Sequence, residues 1–436
     1  MLNDLVKEVA SVQPLKHYGK VSQVVGLMIE SIGPQVSVGE ICNILVGKPP
    51  YRKIMVEVVG FRNEKVLLMP FDRIQDIAPG NLVEPTKKPL QIKIGTPLIG
   101  SVLDGLGRPF DGKDIGNGLA SFPTDNPPPN PLSRPRITEP LSLGVRAIDG
   151  LFTVGKGQRI GIFAGSGVGK STLMAMIAKN SDADINVIAL IGERGREVRD
   201  FVERDLGHEG MKKTILVVAT SDQPALMRIK GAMTATAISE YFRNKGLNVT
   251  LMMDSVTRVA MAQREIGLAI GEPPTSKGYT PSVFALLPRL LERSGTNEKG
   301  TITAFYTVLV DGDDFNEPIS DTVRGILDGH LVLDRKLANR GQFPAINVLT
   351  SISRVMSDIT DGNHQHIADR LRHYLAIYQD SEDLLSIGAY KRGTNKELDE
   401  AVRRHPDIIR YLKQEVNENI TIHDAINQLI REFGEA

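Results

Sequence analysis

The spacing of apolar residues changes three times along this chain, and each change marks a different kind of structure. Residues 1–18 read as an N-terminal arm. Within it Leu2, Leu5, Val6 and Val9 recur at i, i+3, i+4 and i+7, one face of a helix. That face suits packing on the protein's own body or docking a partner. From residue 19 to about residue 90 the runs shorten to β type, as at residues 22–29, 54–60 and 65–70, with Gly, Pro and Asn between them. Short strands at this spacing predict a small β-barrel. Residues 92–111 carry Gly-rich turns and read as a connector. Residues 122–140 hold seven of the chain's 25 prolines, a stiff extended linker separating the barrel from the remainder of the chain.

From residue 143 to about 357 apolar runs alternate with helical patterns. Residues 185–191, 214–219, 249–253 and 302–310 are buried-strand candidates, and residues 225–244 and 256–266 are helical between them. This alternation predicts a mostly parallel sheet covered on both faces. After residue 358 the strands stop and the tail is helical. Thr421 and Asp424 form a capping box ahead of an apolar stripe of Ile422, Ala425, Ile426, Leu429, Ile430 and Phe433. The expected fold class is α/β: a small β-barrel over 19–90, a central domain over 91–357 and a helical domain over 358–436.

Composition narrows the function classes. A chain of 436 residues with 41% apolar content supports two or three domains with sizeable cores. Lys plus Arg and Asp plus Glu are both 52, and this balance speaks against a nucleic-acid polymer as main partner. The lone Cys42 excludes an internal disulfide framework and suits a reducing cytoplasm. It sits in an apolar run, as a buried inert thiol would. No stretch approaches about 18 apolar residues. The expectation is a soluble cytoplasmic protein whose membrane contact is peripheral.

The decisive chemistry lies at Gly165, Ser166, Gly167, Val168, Gly169, Lys170, Ser171 and Thr172, between an apolar run at 159–163 and a helical segment at 171–179. Strand, glycine loop, Lys-Ser and helix is the arrangement that cradles a nucleoside triphosphate on backbone N–H groups and a helix N-terminus. Lys170 would reach the outer phosphates and Ser171 would bind Mg²⁺. The strict pattern begins with Gly, and here that place is Ala164.

Hydrolysis further needs a held cation, a group that orients water, and positive charge for the transition state. Asp254 ends an apolar strand, where a Mg²⁺ acid sits. Glu193 follows the strand at 185–191 on the same carboxyl edge, where open α/β sheets bind ligands. It reads either as the group that polarises attacking water or as a surface carboxylate paired to Arg194 or Arg196. Arg354, after a strand-like stretch at 345–349, either caps a sheet edge or reaches a phosphate; spacing alone leaves both open.

Taken together, these strings resemble the rotary-type hexameric ATPases related to the catalytic subunits of the F-type ATP synthase. Within that group the chain is most similar to the flagellum-specific protein export ATPases of bacteria. The resemblance runs from Tyr18 to Phe433. It is carried by residues 165–172, 191–198, 219–228, 281–293, 313–318 and 324–330, with 344–347 through 351–353 fitting the short signature of the wider group. It implies a RecA-like P-loop ATPase domain that uses ATP and Mg²⁺. By position it implies that Glu193 is the catalytic glutamate and that Arg194 and Arg258 lie near the terminal phosphate. Asp254 becomes the magnesium acid, Phe343 the aromatic residue stacking on adenine, and Arg354 the arginine finger of a neighbouring subunit.

A finger supplied in trans implies a homohexamer that is nearly inactive as a monomer. The resemblance also implies a coiled-coil stalk protein in the ring centre, near the Gly- and Pro-rich loop expected at 265–281. It implies a peripheral regulator at the N-terminal arm, export chaperones and flagellar substrates as clients, and an export gate at the membrane. Three other functions share the machinery: an injectisome secretion ATPase, a catalytic subunit of a rotary ATP synthase, and a hexameric RNA translocase.

Overall fold

The computed structural model describes residues 17–72, 76–112, 115–310 and 317–434. The apolar face of the expected N-terminal arm, and residues 313–316 of one resemblance string, lie outside the described residues.

Six antiparallel strands come first: β1 Gly19–Val25, β2 Met28–Ile32, β3 Glu40–Val46, β4 Arg52–Arg62, β5 Lys65–Pro70 and β6 Leu82–Pro89. They close into a barrel in the order β1-β2-β5-β4-β3-β6. The stretch expected as one strand at 22–29 is a hairpin. Gly26 takes a positive φ of 57°, which breaks the run and sends β2 back along β1. Alternate residues point inward, so Val21, Ile29, Cys42, Ile44, Val56 and Leu68 form the barrel core. There, burial pushes the Cys42 thiol up to about 12, which leaves it unreactive.

The segment expected as a connector supplies two strands. β7 Gln91–Ile94 pairs antiparallel with β9 Ala120–Pro123, and β8 Val102–Asp104 joins the central sheet beside β12 Thr214–Ala219. Three residues are too few to show a period. The proline-rich stretch is extended apart from a 3₁₀ turn at Pro131–Ser133, but it lies along the central domain and not between barrel and sheet. Arg289 Nη2 donates to Asp125 Oδ2 at 2.7 Å, and Asn126 Nδ2 donates to Glu240 Oε2 at 2.8 Å. The barrel instead sits directly on the Ala225–Arg243 and Val256–Ile270 helices. Met28, Leu67, Met69 and Phe71 pack there against Leu226, Met227 and Ile266. A buried Lys230–Glu57 ion pair at 2.8 Å crosses the same interface.

The central sheet contains β10 Arg159–Ala164, β11 Ile185–Ile191, β12 Thr214–Ala219, β13 Asn248–Asp254, β14 Gly295–Thr296, β15 Thr301–Leu309, β16 Gly329–Leu333 and β17 Ile352–Ser353 with β8. Its order is β17-β16-β10-β15-β13-β11-β12-β8, with β14 beside β15. All pairings are parallel except those of β14 and β17. Every residue of β11 and β12 is buried, as expected for strands covered on both faces. Ala345 to Leu349 forms no strand. It touches β16 through one isolated bridge, Leu333 to Ile346, and then turns around the Asn347 side chain. The loop expected from residue 265 begins only at Gly271, because the preceding helix runs on to Ile270.

The tail is helical, with Gly362–Asp380, Lys396–Leu412 and Ile422–Phe433 as its longest helices. Thr421 caps the last of these by accepting from Asp424 N. The tail docks on the Arg146–Leu151 helix, where Tyr411 packs beside Gly150 and Gln414 Oε1 accepts from Arg146 N at 2.7 Å. No described helix is long and apolar enough to cross a membrane.

Candidate active site

β10 carries the glycine loop, and the Lys170–Asn180 helix comes directly after it. Gly167 and Gly169 take positive φ of 76° and 90°, which turns the loop back on itself. Val168 between them is buried and anchors it. The helix begins at Gly169 with no side-chain cap. Its first N–H groups therefore stay available to an anion, with the positive end of the helix dipole behind them.

Three strands deliver side chains to this loop. Lys170 Nζ lies 2.6 Å from Asp254 Oδ1, at the end of β13, and 3.6 Å from Glu193 Oε1, two residues past β11. Asp254 is almost fully buried, and its Oδ1 also accepts from Thr307 Oγ1 of β15 at 2.7 Å. Burial raises the Glu193 carboxyl to about 7; a hydrogen-bonding contact with Glu197 and the charge of Asp254 push the same way, against Lys170. A carboxyl titrating there can take or hold a proton at neutral pH.

Arg258 packs against Gly192, where an added Cβ would lie 2.8 Å from Arg258 Cβ. Among the described residues its buried Nε has no hydrogen-bond partner. An orphaned guanidinium nitrogen costs free energy unless an acceptor arrives. The residues therefore fit a nucleotide with its cation: cationic groups for phosphate, and Ser171 with Asp254 as oxygen donors. Among the described residues no three His, Cys, Asp or Glu side chains form a cage for a metal ion. Mg²⁺ on a nucleotide needs only one or two protein oxygens.

Phe343 is half exposed beside the loop, and a Cβ on Gly169 would lie 3.5 Å from its Cδ1. Gln414 N donates to its carbonyl. Two of the expected residues are not brought into this cluster. The Arg194 side chain is 82% exposed and pairs with Glu197 at 3.4 Å. Arg354 lies at the other edge of the sheet. Ser353 pairs with Gly329 at the start of β16, and Arg354 Nη1 donates to Leu327 O at 3.3 Å. The loop sits past the far end of the six-residue β10, about 20 Å away at strand rise. Arg354 is exposed there and does not reach its own loop.

Sequence spacing does not single out Thr307, Glu197 or Arg335. Thr307 is a polar residue inside the apolar run of β15, and Glu197 lies four residues beyond Glu193. Arg335 stands just past the carboxyl end of β16, the edge where ligands bind.

The nucleotide-binding domain of the ATP synthase alpha/beta family matches residues 144–353, and the beta-barrel domain of that family matches residues 21–87. The T3SS EscN ATPase C-terminal domain matches residues 360–431. A flagellum-specific ATP synthase of Bacillus subtilis is 64% identical over 414 residues, 95% of this chain and 94% of the relative. The assembled ATPase EscN of the enteropathogenic E. coli type III secretion system superposes with a TM-score of 0.90 at 44% identity, covering 95% of this chain and 100% of that one. EscN in complex with its central stalk EscO superposes with a TM-score of 0.88 at the same identity and coverage. With a phosphate loop, a paired Lys170 and Asp254, and likeness over nearly its whole length, this chain belongs to the flagellar and type III secretion ATPases of the ATP synthase alpha/beta family.

Proposed function

We propose that this chain hydrolyses ATP with Mg²⁺ as a homohexameric ring that energises flagellar type III protein export. The observation that carries the reading is Lys170 set between Asp254 and Glu193 at the mouth of the phosphate loop. Ser171 and Asp254 would hold Mg²⁺, which when bound neutralises charge on the outer phosphates. Lys170 exchanges its carboxylate partners for phosphate oxygens, and the free Nε of Arg258 gains an acceptor. Glu193 orients the attacking water and holds its proton. Phe343 offers its exposed ring to the base.

Arg354 completes a neighbour's site. Its place on the amino edge leaves it unable to serve its own loop, and the assembled state of EscN supports a ring in which it serves the next. The stalk complex of EscN supports a coiled-coil partner in the ring centre. We extend the proposal to a cytoplasmic ring at the inner face of the membrane, by the export gate. It would receive chaperones and flagellar substrates, and a peripheral regulator would grip the N-terminal arm; nucleic acid has no role in it. The 64% identity to a flagellar relative favours flagellar over injectisome export.

Glu193→Gln tests the reading. ATP binding and ring formation should persist while turnover falls by about 10²- to 10⁴-fold. An equal loss of ATP binding would move Glu193 from the chemistry to the fold.

A further inference from the structure

Strand β16 touches both halves of the chemistry. At its carboxyl end it pairs residue for residue with β10, from Gly161 opposite His330 to Ala164 opposite Leu333, so it moves with the strand that carries the phosphate loop. Arg335 stands two residues beyond. Its Nη2 donates to Ser166 O over a long 3.4 Å, and a Cβ on Gly165 would lie 3.0 Å from the same nitrogen. The guanidinium therefore rests on the outer backbone of the loop. Asp334 caps the short helix that Arg335 begins, accepting from Lys336 N, and its other oxygen accepts from Asn347 Nδ2 at 3.1 Å. That clamp draws together the two ends of the segment bearing Arg335 and Phe343. One closed segment so straddles the phosphate loop, with Arg335 on Gly165 and Phe343 on Gly169.

The amino end of β16 holds Arg354. Asp328 O accepts from Arg354 N at 3.0 Å, Leu327 O accepts from Arg354 Nη1, and His330 Nε2 hydrogen-bonds Thr350 O at 3.0 Å. The two strands meet without slack. A Cβ on Gly329 would come within 2.6 Å of Ile352 O and 3.1 Å of Ser353 Cα. The His330 ring also meets Phe163 of β10 edge to face, centroids 5.7 Å apart. Between Arg335 and Arg354 there is thus one paired strand and no flexible linker.

We propose that Arg335 is a positioning residue that senses the phosphate loop of its own subunit and, through β16, sets the Arg354 segment offered to the neighbour. This deepens the proposed ATPase function and rests on it. Phosphates entering the loop draw its N–H groups inward and attract the exposed guanidinium. Either movement alters the long Arg335–Ser166 contact. β16 and its paired β17 carry the change to residues 350–354 as one rigid element, the kind of two-ended device that physical coupling requires.

Hydrogen exchange on the whole chain, dilute enough to be monomeric, tests this with ADP alone as the probe. In the unaltered protein, ADP should protect residues 165–172 and also change exchange at residues 350–354, with no neighbour present. In Arg335→Ala the first response should remain at saturating ADP and the second should vanish, while Arg335→Lys should recover part of it. An unchanged response at 350–354 in Arg335→Ala overturns the proposal, as does no response there in the unaltered chain. Protection at 165–172 with no change at 350–354 defeats the relay alone. Absence of protection at 165–172 defeats the nucleotide reading and the relay with it.

Discussion

Two groups of charges, one at each edge of the nine-stranded sheet, are satisfied to different degrees. At the amino edge Arg293 and Glu240, both nearly fully buried, form a two-pronged pair with hydrogen bonds of 2.8 and 2.7 Å. Arg159 grips Asp328 the same way, at 3.0 and 3.1 Å. At the carboxyl edge one ammonium, Lys170, faces two carboxylates, the Arg258 Nε has no acceptor among the described residues, and Glu193 is pushed up to about 7. Buried charges that meet matched partners hold the fold; the surplus of carboxylate around Lys170 fits a site that takes a cation and a phosphate. Arg354 stands apart from both groups. It sits on the structural edge, yet its exposed guanidinium is held, among the described residues, by a carbonyl.

That contrast can be broken at several points. The largest effect is expected from Arg354→Ala, where turnover of the ring should fall by about 10³- to 10⁵-fold with ADP affinity unchanged. A steady-state assay beside a titration checks it, and a small loss would return Arg354 to the role of an edge cap. Glu193→Gln comes next, with turnover down by about 10²- to 10⁴-fold and ATP still bound. Glu240→Gln probes the other edge: leaving Arg293 buried without its anion should destabilise the chain by about 3–5 kcal/mol, read by urea unfolding, with nucleotide chemistry spared in the folded fraction.

The smallest effect sharpens the comparison most. In the proposed role Glu193 must be a carboxylate, and its raised value places proton uptake near pH 7. Turnover should therefore drop as pH falls through about 7, approaching tenfold per unit below it. Glu197→Gln removes a contact that pushes Glu193 upward, so the acid limb should move to lower pH. A limb that stays in place would assign it to another group.

Much of this arrangement is legible in local spacing. The strands at 185–191 and 214–219 appear with those bounds because each is an apolar run, broken only by Asn186 or opened by Thr214, long enough to be recognised locally. The loop from Gly165 to Ser171 is legible for a similar reason: its glycines and the adjoining helix are neighbours in sequence. β8 is not, since three residues become a strand only by pairing with β12. The stretch at 345–349 misleads in the opposite sense, because an apolar run is a strand only if a partner lies beside it.

Sequence alone determined the kind of machine, a phosphate cradle on a parallel sheet, and named Lys170, Asp254, Glu193 and Arg354 as the proposed chemical parts. Tertiary structure decided where those parts lie. Only folding brings Thr307 onto Asp254 and Arg335 onto the loop, and only strand order puts Arg354 at the opposite edge from Lys170. Local spacing carries the preferences of a segment for helix, strand or turn. Which distant strands become neighbours, and which edge a side chain occupies, depends on contacts between residues far apart in sequence, and those exist only once the core has packed.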